Sequence, residues 1–177
     1  MSGGIVVDSS AFLFRKNCVY SHHQLGSNTM KKQQVKLIEV ANHMGLHVLP
    51  DDRFAFVQMF NAFGTTLEYI TVVPDAGPNI WVWSVLHELG HAELTRRRER
   101  THVKTTARDL KRTYANYKPT EAFYRDFLAM EWKAWEQGLR IARREGVNVN
   151  TKQYLTYAEK CWRTYVTYVR DLRNIVN

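Results

Sequence analysis

The stretch VLHELGHAEL, residues 85–94, constrains this chain more than any other. Trp83, Leu86, His87, Gly90, His91 and Leu94 recur at the spacing of a helix, which lays both histidines on one inward stripe. Residues four apart stand one turn removed on the same face, so two imidazoles can converge on one tetrahedral Zn²⁺ with bonds of about 2.0–2.1 Å. Glu88 is rotated off that pair yet stays beside the metal, where a carboxylate can take a proton from an activated water and pass it to a leaving amine. Gly90 leaves room for another backbone to approach. Two histidines do not complete a site, so the chain must bring a third ligand from elsewhere.

A metzincin pattern, HExxHxxGxxH, needs glycine at 94 and histidine at 97; Leu94 and Arg97 stand there, which excludes that class. The other solution is a glutamate from a second helix. Downstream candidates are Glu93, Glu99, Glu121, Glu131, Glu136, Glu145 and Glu159. A buried, unpaired carboxylate is costly, so the informative one is the glutamate in the middle of an apolar face. On a helix over residues 121–145 at about 100° per residue, Tyr124, Phe127, Leu128, Ala134, Trp135, Gly138 and Ala142 fall within about 60° of Glu131. Glu136 falls about 140° away, among Arg125, Lys133, Arg140 and Arg143, where a surface glutamate belongs. Glu145 shares the inward sector but sits at the helix end and ranks second. An arginine could also satisfy Glu131, but an HExxH helix short of one ligand in the same domain favours the metal.

The rest of the chain supplies a small α+β frame. A strand and irregular structure are expected over the first 25 or so residues. A helix follows from Asn28 or Thr29 to Gly45, with Val35, Ile38, Val40, Ala41 and Met44 at helical spacing. LHVLP, FAFVQMF and LEYITVVP read as two or three strands of a small antiparallel sheet. Pro78 or Asn79 opens the motif helix, whose exit is the solvated run RRRER. The segment THVKTTARDLKRTYANYKPT is a connection with one short helix. The helix over 121–145 ends at Gly146, and a last amphipathic helix runs from Thr151 to Asn174. Residues 1–177 therefore read as one domain, with a core over 28–145 and a C-terminal helix over 146–177 packed on it.

Charge is uneven. Residues 1–93 carry 6 Lys/Arg against 8 Asp/Glu, while residues 94–177 carry 19 against 9. The basic half suits solvated helix faces, nucleic acid, an anionic membrane or an acidic protein partner, and charge alone does not choose among them. Cys18 and Cys161 are the only cysteines, so there is no disulfide framework or CxxC ribbon, and a reducing compartment is expected. No secretory signal or membrane-length apolar run is present, which points to a soluble, cytoplasmic protein without a membrane partner. Among other histidines, His22 and His23 read as loop residues, and His43 and His47 as structural. Tyr154, Tyr157, Trp162, Tyr165 and Tyr168 read as the packing face of the last helix rather than a stacking platform.

With HELGHA at residues 87–92 and EWKAWEQG at residues 131–138, the chain resembles the minimal zincin core, and most closely the ImmA/IrrE-type metallopeptidase family, including compact phage and mobile-element versions. The resemblance spans residues 28–145 as architecture, but as sequence only those two segments. It implies His87, His91 and Glu131 as zinc ligands, Glu88 as base, a protein or peptide substrate, and the host cytoplasm if the protein is phage-encoded. It also suggests LEYITVVP as the edge on which an extended substrate pairs. No helix-turn-helix of the kind that accompanies many such domains is found. SprT-like DNA-associated proteases share the HExxH helix but use a third histidine, for which only His102 is available downstream. A further alternative, of another class, is a non-enzymatic zinc-containing protein whose basic half engages a partner or nucleic acid.

Overall fold

Helix α1 (Asn28–His43) stops where its sequence reaches Gly45. In the computed structural model, which describes residues 5–7, 28–60, 66–97 and 121–176, that glycine has φ +64°, a left-handed conformation that other residues rarely adopt. Its N–H donates to the Asn42 carbonyl at 2.8 Å and the Leu46 N–H to the Ala41 carbonyl at 2.9 Å, satisfying acceptors that the helix end leaves open.

Four strands follow the expected segments: β1 (Ile5–Val7), β2 (His47–Pro50), β3 (Ala55–Phe60) and β4 (Thr66–Val72). Their order in the sheet is β1-β3-β4-β2. β3 pairs antiparallel with both β1 and β4, but β2 pairs parallel with β4, from His47 opposite Tyr69 to Pro50 opposite Val72. The sheet is therefore mixed, not antiparallel as the sequence suggested. Turn signals propose partners among strands adjacent in the chain, whereas here β4 inserts between β2 and β3. The Asp51 N–H extends the parallel ladder to the Val72 carbonyl at 2.8 Å.

The same arrangement corrects a second expectation. β4, the LEYITV strand, is an interior strand and cannot offer an edge along residues 69–72. Consecutive residues Ala55, Phe56 and Val57 of β3 and Ile70, Thr71 and Val72 of β4 are all buried, so this end of the sheet is covered on both faces.

Helix α2 (Pro78–Arg96) carries the HExxH motif and begins with proline at its first position after Gly77. From Trp81 to Glu93 every residue but Trp83 is buried. A one-sided stripe was expected; instead α2 is a central helix, clasped by α1, β3, β4 and the next helix. Helix α3 (Glu121–Arg144) ends at Gly146, φ +63°, with the Val147 N–H on the Ala142 carbonyl at 2.8 Å. The Asn150 side chain then accepts from the Gln153 N–H at 3.1 Å and caps helix α4 (Thr151–Val176). Helix α4 packs on α3, as the sequence implied. Val40, Phe56, Ile70, Val85, Leu86, Leu89 and Ile141 join α1, the sheet, α2 and α3 into one apolar core. Among the described residues no helix is long and apolar enough to cross a membrane. His22, His23, Glu99, His102 and the segment expected to connect α2 to α3 lie outside the described residues.

Candidate metal centre

The centre exists because two helices touch backbone to backbone. A Cβ added at Gly90 would overlap the Ala134 carbonyl oxygen and stand 3.0 Å from its carbon and 3.1 Å from the Gly138 nitrogen. One added at Gly138 would meet the Leu86 carbonyl oxygen at 2.5 Å and the Tyr154 hydroxyl at 2.6 Å. Both glycines are thus required by close approach, and the contacts Leu86–Gly138 and Gly90–Ala134 make α2 and α3 antiparallel at their crossing. The room at Gly90 expected from the sequence is taken by α3.

That approach brings Glu131 onto the histidines that bracket Gly90. The His87 and His91 Nε2 atoms are 3.1 Å apart, and Glu131 Oε2 lies 3.3 Å from the first and 3.5 Å from the second. All are deeply buried: Glu131 is 2% exposed, His87 4% and His91 7%. Charge-assisted hydrogen bonds would run at about 2.7–2.9 Å. Here the His87–His91 contact is within hydrogen-bond reach at 3.1 Å, while among the described residues Glu131 Oε2 has no hydrogen-bond partner although it lies beside both imidazoles. An ion with tetrahedral bonds of about 2.0–2.1 Å holds its ligand atoms about 3.3 Å apart. The donors fit a metal ion at the spacing found.

Electrostatics agrees that these groups form one unit. Burial alone would raise the Glu131 carboxyl, but His91 and His87 hold it well below the usual carboxylate range. Burial alone would lower the His91 imidazole; the Glu131 carboxylate outweighs this and raises it. The Glu88 carboxyl is pushed up by its burial, with Glu131 adding, against His87, His91 and the Phe56 N–H.

Glu88 is 4% exposed, and one of its oxygens belongs with the two histidine nitrogens to a group of atoms all within 4.8 Å of one another. That buried His87-Glu88-His91 group could hold a metal ion by itself. The second carboxylate at the histidines, Glu131, is the one at ligand-to-ligand spacing. Glu88 Oε2 instead accepts the Phe56 N–H of β3 at 2.7 Å. Sequence reading had no means of finding this donor, because it is a main-chain group on a strand remote in the chain.

Two aromatic residues set the walls. The Trp135 ring, one turn along α3 from Glu131, stacks on His87 with centroids 4.1 Å apart and an interplanar angle of 22°. Among the described residues His87 Nδ1 has no hydrogen-bond partner, and the contact seen on the face of this ring is the Trp135 stack. From α4, Tyr165 comes near the centre: burial, with the charges of Glu131 and Glu88, raises its hydroxyl well above the ordinary tyrosine value. Tyr165 had been read as packing only; nothing in its position on the helix separates it from Tyr154 or Tyr157.

Among the described residues, four other candidate glutamates are engaged elsewhere. Glu93 binds Arg97 and Arg144, the latter at 3.1 Å. Glu136 accepts from Trp132 Nε1 at 3.0 Å on the surface, Glu145 pairs with Arg144 at 2.7 Å, and Glu159 pairs with Arg163 at 2.6 Å. The chain matches no protein-family model, no curated protein and no solved structure.

Proposed function

We propose that this protein is a zinc-dependent metallopeptidase, with His87, His91 and Glu131 as ligands and Glu88 as general base, hydrolysing a peptide bond in an intracellular protein substrate. The observation that carries this reading is the near-equal triangle of 3.1, 3.3 and 3.5 Å among three buried donors on an HExxH helix and its neighbour. Two imidazoles and one carboxylate are a donor set suited to Zn²⁺. The resemblance of HELGHA and EWKAWEQG to ImmA/IrrE-type zincins points the same way.

Zinc, when bound, supplies a Lewis acid that polarises the scissile carbonyl and acidifies the attacking water. The residues of the chain do the rest. Phe56 N–H holds Glu88 Oε2, which fixes the carboxylate's rotation and leaves its other oxygen to take the water's proton and return it to the leaving nitrogen. A raised Glu88 pKa moves that base toward neutral pH, where both proton transfers are accessible. Because the Phe56 N–H turns to Glu88, the outer edge of β3 faces the site here. Among the described residues β1 covers β3 only from Gln58 to Phe60.

A second reading, a structural zinc site in a non-enzymatic binding protein, draws support from the burial of all four groups, none more than 7% exposed. Glu88→Gln separates the two. In a peptidase it keeps the metal and abolishes cleavage, and the inactive variant retains substrate that can be identified after co-purification. Full biological effect with Glu88→Gln would refute the peptidase reading.

A further inference from the structure

A chain of aromatic contacts leaves α2 one turn before His87 and returns at His87 itself. Trp83 of α2 meets Tyr157 of α4, ring centroids 5.3 Å apart. Tyr157 and Tyr154 both make T-shaped contacts with Trp135 of α3, at 5.8 and 5.5 Å with 81° and 68° between planes. Trp135 then lays its face on His87, at 4.1 Å and 22°. The Tyr154 hydroxyl also donates to the Trp135 carbonyl at 2.9 Å, which ties this turn of α3 to α4. Trp135 is buried and Tyr154 fully so.

A buried tryptophan ordinarily finds an acceptor for its N–H, yet among the described residues Trp135 Nε1 has none. This indole therefore serves through its face. His87 is short of the matching support. Ligand histidines are ordinarily oriented by a hydrogen bond from the second ring nitrogen, and among the described residues His87 Nδ1 has no partner. The polar contacts seen on His87, from Glu131 at 3.3 Å and His91 at 3.1 Å, both meet Nε2, the atom a metal would take. Rotation of the imidazole about its Cβ–Cγ bond would drive a ring edge into the indole, so the stack fixes the plane of the ring. The same face acts electrostatically. An imidazole bound to Zn²⁺ carries part of the ion's charge, and tryptophan is the best of the aromatic faces for a cation within about 6 Å of its centroid. That attraction is stronger for the metal-bound imidazole than for the neutral one.

We propose that Trp135 is the positioning residue of His87: its stacked face holds the imidazole in the plane that aims Nε2 at Glu131 and His91 and favours the metal-bound ring, while Tyr154 and Tyr157 of α4 hold the indole in place. The inference rests on the metal-centre reading above.

The test is Zn²⁺ affinity of the full chain by chelator competition, with metal-free urea unfolding run on the same variants. Trp135→Leu removes the aromatic face and should weaken Zn²⁺ about tenfold or more. Trp135→Phe restores a smaller face and should weaken it only about two- to fivefold; it also decides the matter if Trp135→Leu does not fold. Ile141→Val, a fully buried position on the same helix, should lower the unfolding midpoint and leave Zn²⁺ affinity unchanged. In the Glu131→Ala background the Trp135→Leu loss should recur at full size, since the two residues act through different ligands. Unchanged affinity in the Trp135 variants overturns the inference. So does an equal loss in Ile141→Val, which would assign the effect to the core. A loss that vanishes in the Glu131→Ala background overturns it too, because Trp135 would then act by placing Glu131. If the unmodified protein binds no Zn²⁺, the metal-centre reading itself fails, a result distinct from all of these.

Discussion

Alanine at position 90 tests the helix contact on which the centre depends. By intrinsic propensity it should help, since alanine is favoured over glycine inside a helix by about 0.8–1 kcal/mol. The structure predicts the opposite. The new methyl would overlap the Ala134 carbonyl oxygen, a backbone atom that cannot rotate away, and would stand 3.0 Å from the carbonyl carbon. Restoring ordinary contact at about 3.5 Å requires α2 and α3 to separate by on the order of 1 Å. Overpacking of this kind costs about 1–3 kcal/mol, so after the propensity gain the net loss should be about 0–2 kcal/mol. The same movement carries Glu131 away from histidines that are now 3.3 and 3.5 Å distant. Adding about 1 Å takes those separations well past the about 3.3 Å that ligands of one tetrahedral ion can have. Gly90→Ala should therefore lower metal-free stability in urea unfolding and also weaken Zn²⁺ at least about tenfold in chelator competition. A variant that gains about 1 kcal/mol, as propensity alone would give, and binds Zn²⁺ unchanged would refute the backbone contact and the argument built on it.

The purified protein should contain one zinc per chain, lost in His87→Ala and much reduced in Glu131→Ala; metal content unchanged by Glu131→Ala would remove it from the ligand set. The Glu93 carboxyl would be raised by burial, but hydrogen bonds from Arg144 and Gln137 and the charges of Arg144 and Arg97 lower it. With its folded pKa below the unfolded one, its contribution is complete above the unfolded carboxylate pKa and declines as pH falls through the folded value. Glu93→Gln should thus cost about 1 kcal/mol at pH 7, screened because Arg144 is half-exposed, and progressively less in acid; a cost that stays constant down to pH 3 would contradict this. Asn150→Ala removes the cap of α4 and should cost about 1 kcal/mol in thermal unfolding.

Much of the site was legible because helices fix side-chain direction locally. The spacing of His87 and His91, the inward place of Glu131 among apolar neighbours, the need for a small residue at 90 and the stops at Gly45 and Gly146 all follow from the helical period and from glycine's freedom at positive φ. The strands were legible as segments: LHVLP, FAFVQMF and LEYITVVP became β2, β3 and β4 within a residue or two. Their pairing was not, because alternation of apolar residues says which face is buried and says nothing about which strand lies alongside. That gap made the sheet antiparallel, while the resemblance to zincins had put β4 at an edge. The surrounded state of α2 was equally hidden, since the polar residues Ser84 and Glu93 fall outside the expected stripe and are buried in the fold.

The sequence by itself determined the donors: two imidazoles one turn apart, a carboxylate beside them, and a second carboxylate on an apolar helix face. Only the tertiary structure decided how they meet. The Gly90 and Gly138 contacts set the distance between α2 and α3, and β3 turned one main-chain N–H to Glu88. The first set depends on spacing within one helix, which every stretch of sequence carries with it. The second depends on groups far apart in the chain, whose positions are fixed only when the whole core closes around them.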